Sequence, residues 1–158
     1  MIGNLRAPRA QPGHRVCAVT SSASECTFCR IAGGELAAET VYADESCVAF
    51  LDHRPLFPGH ALLIPREHVE TVFDAPPELL ANLALATQRL SVAIRDAMEA
   101  EGIFNAVNNV VSQSVPHLHV HVVPRRRKDG LRGFFWPRTK YSSDEEAQAV
   151  AASIRRRL

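Results

Sequence analysis

Acidic residues are absent from the first 24 positions of this 158-residue chain. That stretch carries Arg6, Arg9, Arg15, two prolines and a Ser/Ala cluster, without hydrophobic periodicity. Residues 1–24 are therefore expected to be a disordered tail. An organelle-targeting segment shares some of this composition but should be amphipathic, so a plain extension is favoured. Also missing is any apolar run long enough to cross a bilayer, and no membrane association is expected. The formal net charge is only +1, so no strong field commits the whole chain to nucleic acid, and that partner is disfavoured. No secretory signal stands out. The four cysteines (Cys17, Cys26, Cys29 and Cys47) are then expected in a cytoplasmic protein, free of a disulfide framework. Only Cys26-x-x-Cys29 has an informative spacing, which leaves metal binding or redox chemistry open.

What the chain does have is a core and a row of imidazoles. It is 46% hydrophobic and 22% charged, enough for one globular domain. Residues 114–123 read Ser-Val-Pro-His-Leu-His-Val-His-Val-Val. His117, His119 and His121 alternate with Leu118, Val120 and Val122, a period of two that predicts a β-strand with three imidazoles on one face. One satisfied core histidine is common. Three in register point to function, because a strand face given to imidazole gains little from burial.

Along the chain, the spacing predicts a short helix over 26–32 and a strand hairpin over 40–43 and 47–51. A third strand over 61–64 ends at Pro65. Pro76-Pro77 opens one long helix whose buried stripe is Leu79, Leu83, Ala86, Leu90, Ile94 and Ala97, with Gly102 as its stop. A strand over 103–111 and the histidine strand follow. The expectation is an α+β domain over 25–128 with an antiparallel sheet of about five strands. A C-terminal extension over 129–158 would hold a terminal helix from Asp144. The basic run Arg125 to Lys128 reads as a solvated loop. The alternative is phosphate contact, with the neighbouring Phe134, Phe135 and Trp136 stacking on a base.

Gln113-Ser114 followed by His117-Leu118-His119-Val120-His121-Val122-Val123 resembles the defining motif of the histidine triad (HIT) family, His-φ-His-φ-His-φ-φ with φ apolar. The likeness extends over Phe50-Leu51-Asp52, Gly59 to Pro65, and His68. It implies the HIT-like α+β fold and a homodimer whose sheets join. It also implies a hydrolase or nucleotidyltransferase that cuts at the α-phosphorus of a nucleoside 5′-phosphate, usually adenosine, in phosphoramidates or dinucleoside polyphosphates. By that resemblance His119 attacks phosphorus and is transiently nucleotidylated, and His121 holds a non-bridging oxygen. Ser114 serves the leaving group, and Gln113 is the glutamine before that hydroxyl. Phe28, Ile31 and Phe50 wall the base pocket, Asp52 takes the ribose hydroxyls, His60 stands near the phosphate, and Asn108 matches the asparagine of the preceding strand. A subset of the family binds a structural Zn2+ through residues matching Cys26, Cys29, His68 and His117. Two departures stand out: Ser112 where relatives usually have glycine, and a short loop over 109–113. A catalytically weak nucleotide-binding signalling module is the alternative function.

Overall fold

The computed structural model describes residues 26–131 and 140–158. The expected tail, Cys17 and the aromatic run Phe134 to Trp136 lie outside those residues. The chain divides after residue 125 into two compact units.

In the first unit, helix α1 (Thr27–Ala32) precedes strands β1 (Thr40–Ala43), β2 (Cys47–Leu51) and β3 (Ala61–Pro65). Helix α2 (Pro77–Ala97) and strands β4 (Gly102–Ala106) and β5 (Val120–Arg125) follow. The five strands form one antiparallel sheet in the order β1-β2-β3-β5-β4. The period of two along β2 and β3 sorts their side chains into two cores. Cys47, Ala49, Ala61 and Leu63 share one face with Leu118, Val120 and Val122, against Leu83, Ala86, Leu90 and Ile94 of α2. Val48, Phe50, Leu62 and Ile64 turn the other way and pack with Cys26 and Phe28. β3 is buried at every position because both faces are covered. Among the described residues no helix is long and apolar enough to cross a membrane.

Several boundaries differ from the sequence expectation. The histidine strand does not run from Ser114; β5 begins at Val120. Pro116 has no N–H to donate. The His117 N–H closes a tight turn on Val115 O at 2.8 Å, and the Leu118 N–H goes to Val69 O at 2.7 Å. The backbone of His117 and Leu118 is thus tied to loops before the sheet begins. β4 ends at Ala106 rather than 111. Gly102 opens β4 instead of stopping α2, which ends at Ala97 with Met98 as its C-cap and Glu99 in the left-handed region (φ 50). Leu79, Leu83, Ala86, Leu90 and Ile94 are buried as expected, whereas Ala97, in the last turn, is exposed.

In the second unit, Arg126 to Asp129 form a turn: the Asp129 carboxylate accepts the N–H groups of Arg126 (3.1 Å) and Leu131 (3.0 Å). Helix α3 (Asp144–Arg155) is capped by Ser143, whose hydroxyl accepts the Glu146 N–H at 3.3 Å. Its last residue is Arg155, followed by Arg156 as the C-cap.

Candidate active site and metal centre

Although His117 and His119 precede the strand, the alternation survives. Both rings present edges to Phe28, at centroid distances of 5.9 and 5.4 Å, and His121 stacks edge-on to His119 at 5.0 Å. Leu118, Val120 and Val122 lie in the opposite core.

Hydrogen bonds assign the proton on each ring. Nδ1 of His119 lies 2.7 Å from His117 O, a pure acceptor, so Nδ1 carries the hydrogen and Nε2 keeps its lone pair. The Leu56 N–H donates to Nδ1 of His60 at 3.2 Å, which puts the His60 proton on Nε2. That Nε2–H donates to Nδ1 of His121 at 3.0 Å, which leaves His121 with an Nε2–H donor. The row therefore presents a nitrogen lone pair at His119 and a hydrogen-bond donor at His121. Burial above all, then the neighbouring His119 and His60, lowers the His121 pKa to about 4. Burial also lowers that of His60, against the opposing pull of Asp52. Both rings are neutral near pH 7. The His119 side chain is more enclosed than a free strand face would be, with the residue 2% exposed.

Around this row, Phe28 and Phe50 meet edge-to-face at 5.5 Å, with Ile31 packed against the same cluster. The Oδ1 of Asp52 accepts the Arg54 N–H at 2.8 Å, and Oδ2 lies 3.6 Å from Nδ1 of His60. Asp52 thus shapes a turn and also faces the histidine row. Ser114 is exposed on the loop before His117.

Behind the row, the Sγ atoms of Cys26 and Cys29 each lie 3.5 Å from Nδ1 of His117, and Cys29 Sγ lies 3.2 Å from Nδ1 of His68. The Nε2–H of His117 donates to Pro65 O at 2.9 Å, so its Nδ1 lone pair is the atom aimed at the thiols. All four ligand atoms lie within 4.8 Å of one another and could hold a metal ion. On a zinc tetrahedron, Zn–S near ~2.3 Å and Zn–N near ~2.0 Å set S and N donors roughly 3.5 Å apart, which this group matches. Burial, then the adjacent Cys26, pushes the Cys29 thiol up to about 11. Two thiols and two imidazole nitrogens converging on one point make a donor set suited to a cation, whereas disulfide chemistry would use the cysteine pair alone. Nε2 of His68 is, among the described residues, the one buried side-chain nitrogen or oxygen without a hydrogen-bond partner.

Residues 33–128 match the family model described as the HIT domain. The chain belongs to the HIT family. Among curated relatives, it is 36% identical over 140 residues to Protein hit of Bacillus subtilis, spanning 86% of this chain and 96% of that protein. It is 32% identical over 142 residues to adenylylsulfatase HINT3 of Arabidopsis thaliana (85% and 70%), and 32% identical over 107 residues to adenosine 5′-monophosphoramidase HNT1 of Saccharomyces cerevisiae (67% and 66%). Among solved structures, a HIT family member from Bacillus subtilis superposes with a TM-score of 0.78 at 37% identity, covering 85% of this chain and 97% of that one. A Zn-bound histidine triad protein from Mycobacterium smegmatis superposes with a TM-score of 0.66 at 34% identity, covering 87% and 100%.

In this HIT chain Asn108, expected on the preceding strand, lies in the loop just past the end of β4, and the adjacent Asn109 accepts the Val72 N–H through Oδ1 at 2.9 Å. The ring nitrogens of His60 bond Leu56 and His121, so it acts on the histidine row. Ser112 has φ 62 and Val110 φ 68, the left-handed region. The loop that lacks the usual glycine therefore keeps a backbone conformation that glycine favours. The sequence reading also missed Pro65, whose carbonyl orients His117; a backbone acceptor leaves no mark in the side-chain pattern.

Proposed function

We propose that the protein is a hydrolase or nucleotidyltransferase cleaving at the α-phosphate of adenosine 5′-phosphoramidates or dinucleoside polyphosphates. The observation that carries this reading is the His119 tautomer: Nδ1–H held by the His117 carbonyl, Nε2 free. Imidazole is neutral near pH 7 and can later depart, which suits a nucleophile in phosphoryl chemistry. Nε2 of His119 forms a bond to phosphorus as the P–N or P–O bond to the leaving group breaks. The Nε2–H of His121 faces a non-bridging oxygen as negative charge grows there. The exposed Ser114 hydroxyl gives the departing amine or phosphate a proton donor within the same loop. Water then attacks phosphorus, loses a proton, and releases the nucleotide and a neutral His119.

Phe28, Ile31 and Phe50 form the wall for the base, and Asp52 has acceptor capacity for the ribose hydroxyls. The names of the two plant and yeast relatives, an adenylylsulfatase and an adenosine 5′-monophosphoramidase, support an adenosine 5′-phosphoryl substrate. Cys26, Cys29, His68 and His117 would hold zinc. Once bound, the ion supplies a crosslink between α1 and the segments carrying His68 and His117. The Zn-bound relative supports this assignment. We also propose a homodimer joined at the sheet edge, since β4 has a β-strand neighbour on one side only among the described residues. Free Cys26, Cys29 and Cys47 suit the reducing cytoplasm.

The test is a substrate panel of adenosine phosphoramidate and dinucleoside polyphosphates, with and without phosphate. His119→Ala should lower turnover by roughly a thousandfold or more while the protein stays folded. Full activity in that variant sinks the assignment. The enclosure of His119 favours one second reading, a binding module with weak turnover. It predicts tight nucleotide binding with negligible hydrolysis of the whole panel.

A further inference from the structure

We propose that Gln113 is a positioning residue: its amide fixes the carbonyl that orients His119, together with the strained loop before it, and does not touch the phosphate. This rests on the reading of His119 as the nucleophile. A primary amide offers two N–H donors and one carbonyl oxygen. In Gln113 each faces a group of the chain itself. The oxygen accepts the Val110 N–H at 2.8 Å, and the nitrogen donates to Glu70 O at 2.6 Å, with a longer contact to His117 O at 3.5 Å. The partners also fix the amide orientation, since two carbonyls can only accept and one N–H can only donate. No donor remains for a substrate oxygen unless one of these contacts breaks.

The third partner carries the consequence. His117 O is also the acceptor for Nδ1–H of His119, at 2.7 Å. A carbonyl oxygen has two lone pairs, so Gln113 and His119 converge on one atom. On the other side, Val110 is β-branched yet sits at φ 68. That conformation is a genuine outlier for such a residue, and it persists only where neighbours over-determine it. Gln113 holds the loop through the Val110 N–H, and Asn109 holds it through the Val72 N–H at 2.9 Å. Without the amide, both the loop and the shared carbonyl are freed. His119 can then adopt the alternative tautomer, in which Nε2 carries the proton and has no lone pair for phosphorus. Phe28, Phe50 and Asp52 make none of these bonds, so nucleotide binding should survive.

Gln113→Met keeps the length and removes every polar contact. Its kcat should fall about tenfold or more, with KM for the nucleotide within about twofold of wild type. In the same protein the 15N ring shifts of His119 should change from a single Nδ1–H form to a tautomer mixture. A rise in KM with kcat and tautomer unchanged would make Gln113 a substrate contact and overturn the proposal, as would no change in either. Two wild-type measurements decide it even if the variant does not fold: His119 must be the Nδ1–H form, and the Gln113 side-chain N–H groups must exchange slowly with solvent. Fast exchange or the other tautomer refutes it. Retained turnover in His119→Ala would refute the nucleophile reading alone, leaving the tautomer and exchange results as they stand.

Discussion

Two side-chain clusters flank the histidine row, and each brings its ligand atoms within 4.8 Å: Cys26, Cys29, His68 and His117 behind it, and Asp52, His60 and His121 beside it. By proximity they are equivalent, but by proton placement they are opposites. In the first, the one hydrogen on His117 goes to Pro65 O, so a lone pair points at two thiols. In the second, Nδ1 of His60 accepts from Leu56, its Nε2–H points at His121, and one Asp52 oxygen accepts from Arg54. The second cluster therefore relays hydrogen bonds from the backbone to His121, while the first turns a His117 lone pair toward two thiols, a set that could hold a cation. Donor geometry alone does not make a metal site; what matters is where the neighbours have already put the hydrogens.

Removing a ligand from each cluster should separate them sharply. Cys26→Ser is expected to abolish binding of about one zinc per chain and to cost on the order of 5 kcal/mol, measured by metal analysis and denaturant unfolding. A metal-free wild type of full stability would erase the distinction. His60→Ala should leave the zinc content untouched. It frees the His121 ring, and turnover should fall roughly 10- to 100-fold, with a stability loss of about 1–2 kcal/mol. Loss of zinc in that variant would mean that the clusters are not independent.

Cys26, Cys29, His117 and His121 were legible from spacing, whereas Asp52, His60 and His68 stood out only through the family resemblance. Cys26-x-x-Cys29 and the alternating histidines are readable as strings, and the apolar residues between them mark the face that meets α2. The difference between the clusters was not legible. It depends on Pro65 O, His117 O and the Leu56 N–H, which are backbone groups that every sequence contains. The same limit explains the misplaced start of β5. A period of two does not reveal that Leu118 bonds Val69 instead of a strand, and only Pro116 hinted at an interruption. Gln113 is likewise legible as part of the motif, but a string does not say which way its amide faces.

Acid should act on the second cluster through its neutral rings. The pKa of His121 is lowered to about 4 and that of His60 is lowered as well, chiefly by burial. In the unfolded chain both bind a proton near pH 6.5, so between about 6.5 and 4 the unfolded state holds more protons than the folded one. Stability should therefore be flat above about pH 6.5 and fall as the pH drops toward 4. His121→Ala should flatten part of that slope in denaturant titrations; an unchanged slope would mean that the ring is not buried neutral.

The smallest effect is expected one residue before His60. Gly59 has φ +90, and a Cβ there would lie 2.7 Å from Met98 Cγ at the end of α2. Gly59→Ala meets two costs: a left-handed backbone that alanine rarely adopts, and a contact that Met98 must relieve by moving. The methionine is flexible, so the steric part is modest, and the sum should be about 1–2 kcal/mol. Gly59→Ala with Met98→Ala relieves the contact but keeps the backbone strain. If the clash matters, the double variant should lose less than the sum of the two single variants. If the two losses simply add, the left-handed turn alone sets the entry of His60 into its bond with His121. The cluster of Cys26, Cys29, His68 and His117, which shares no residue with that turn, should be unaffected in either case.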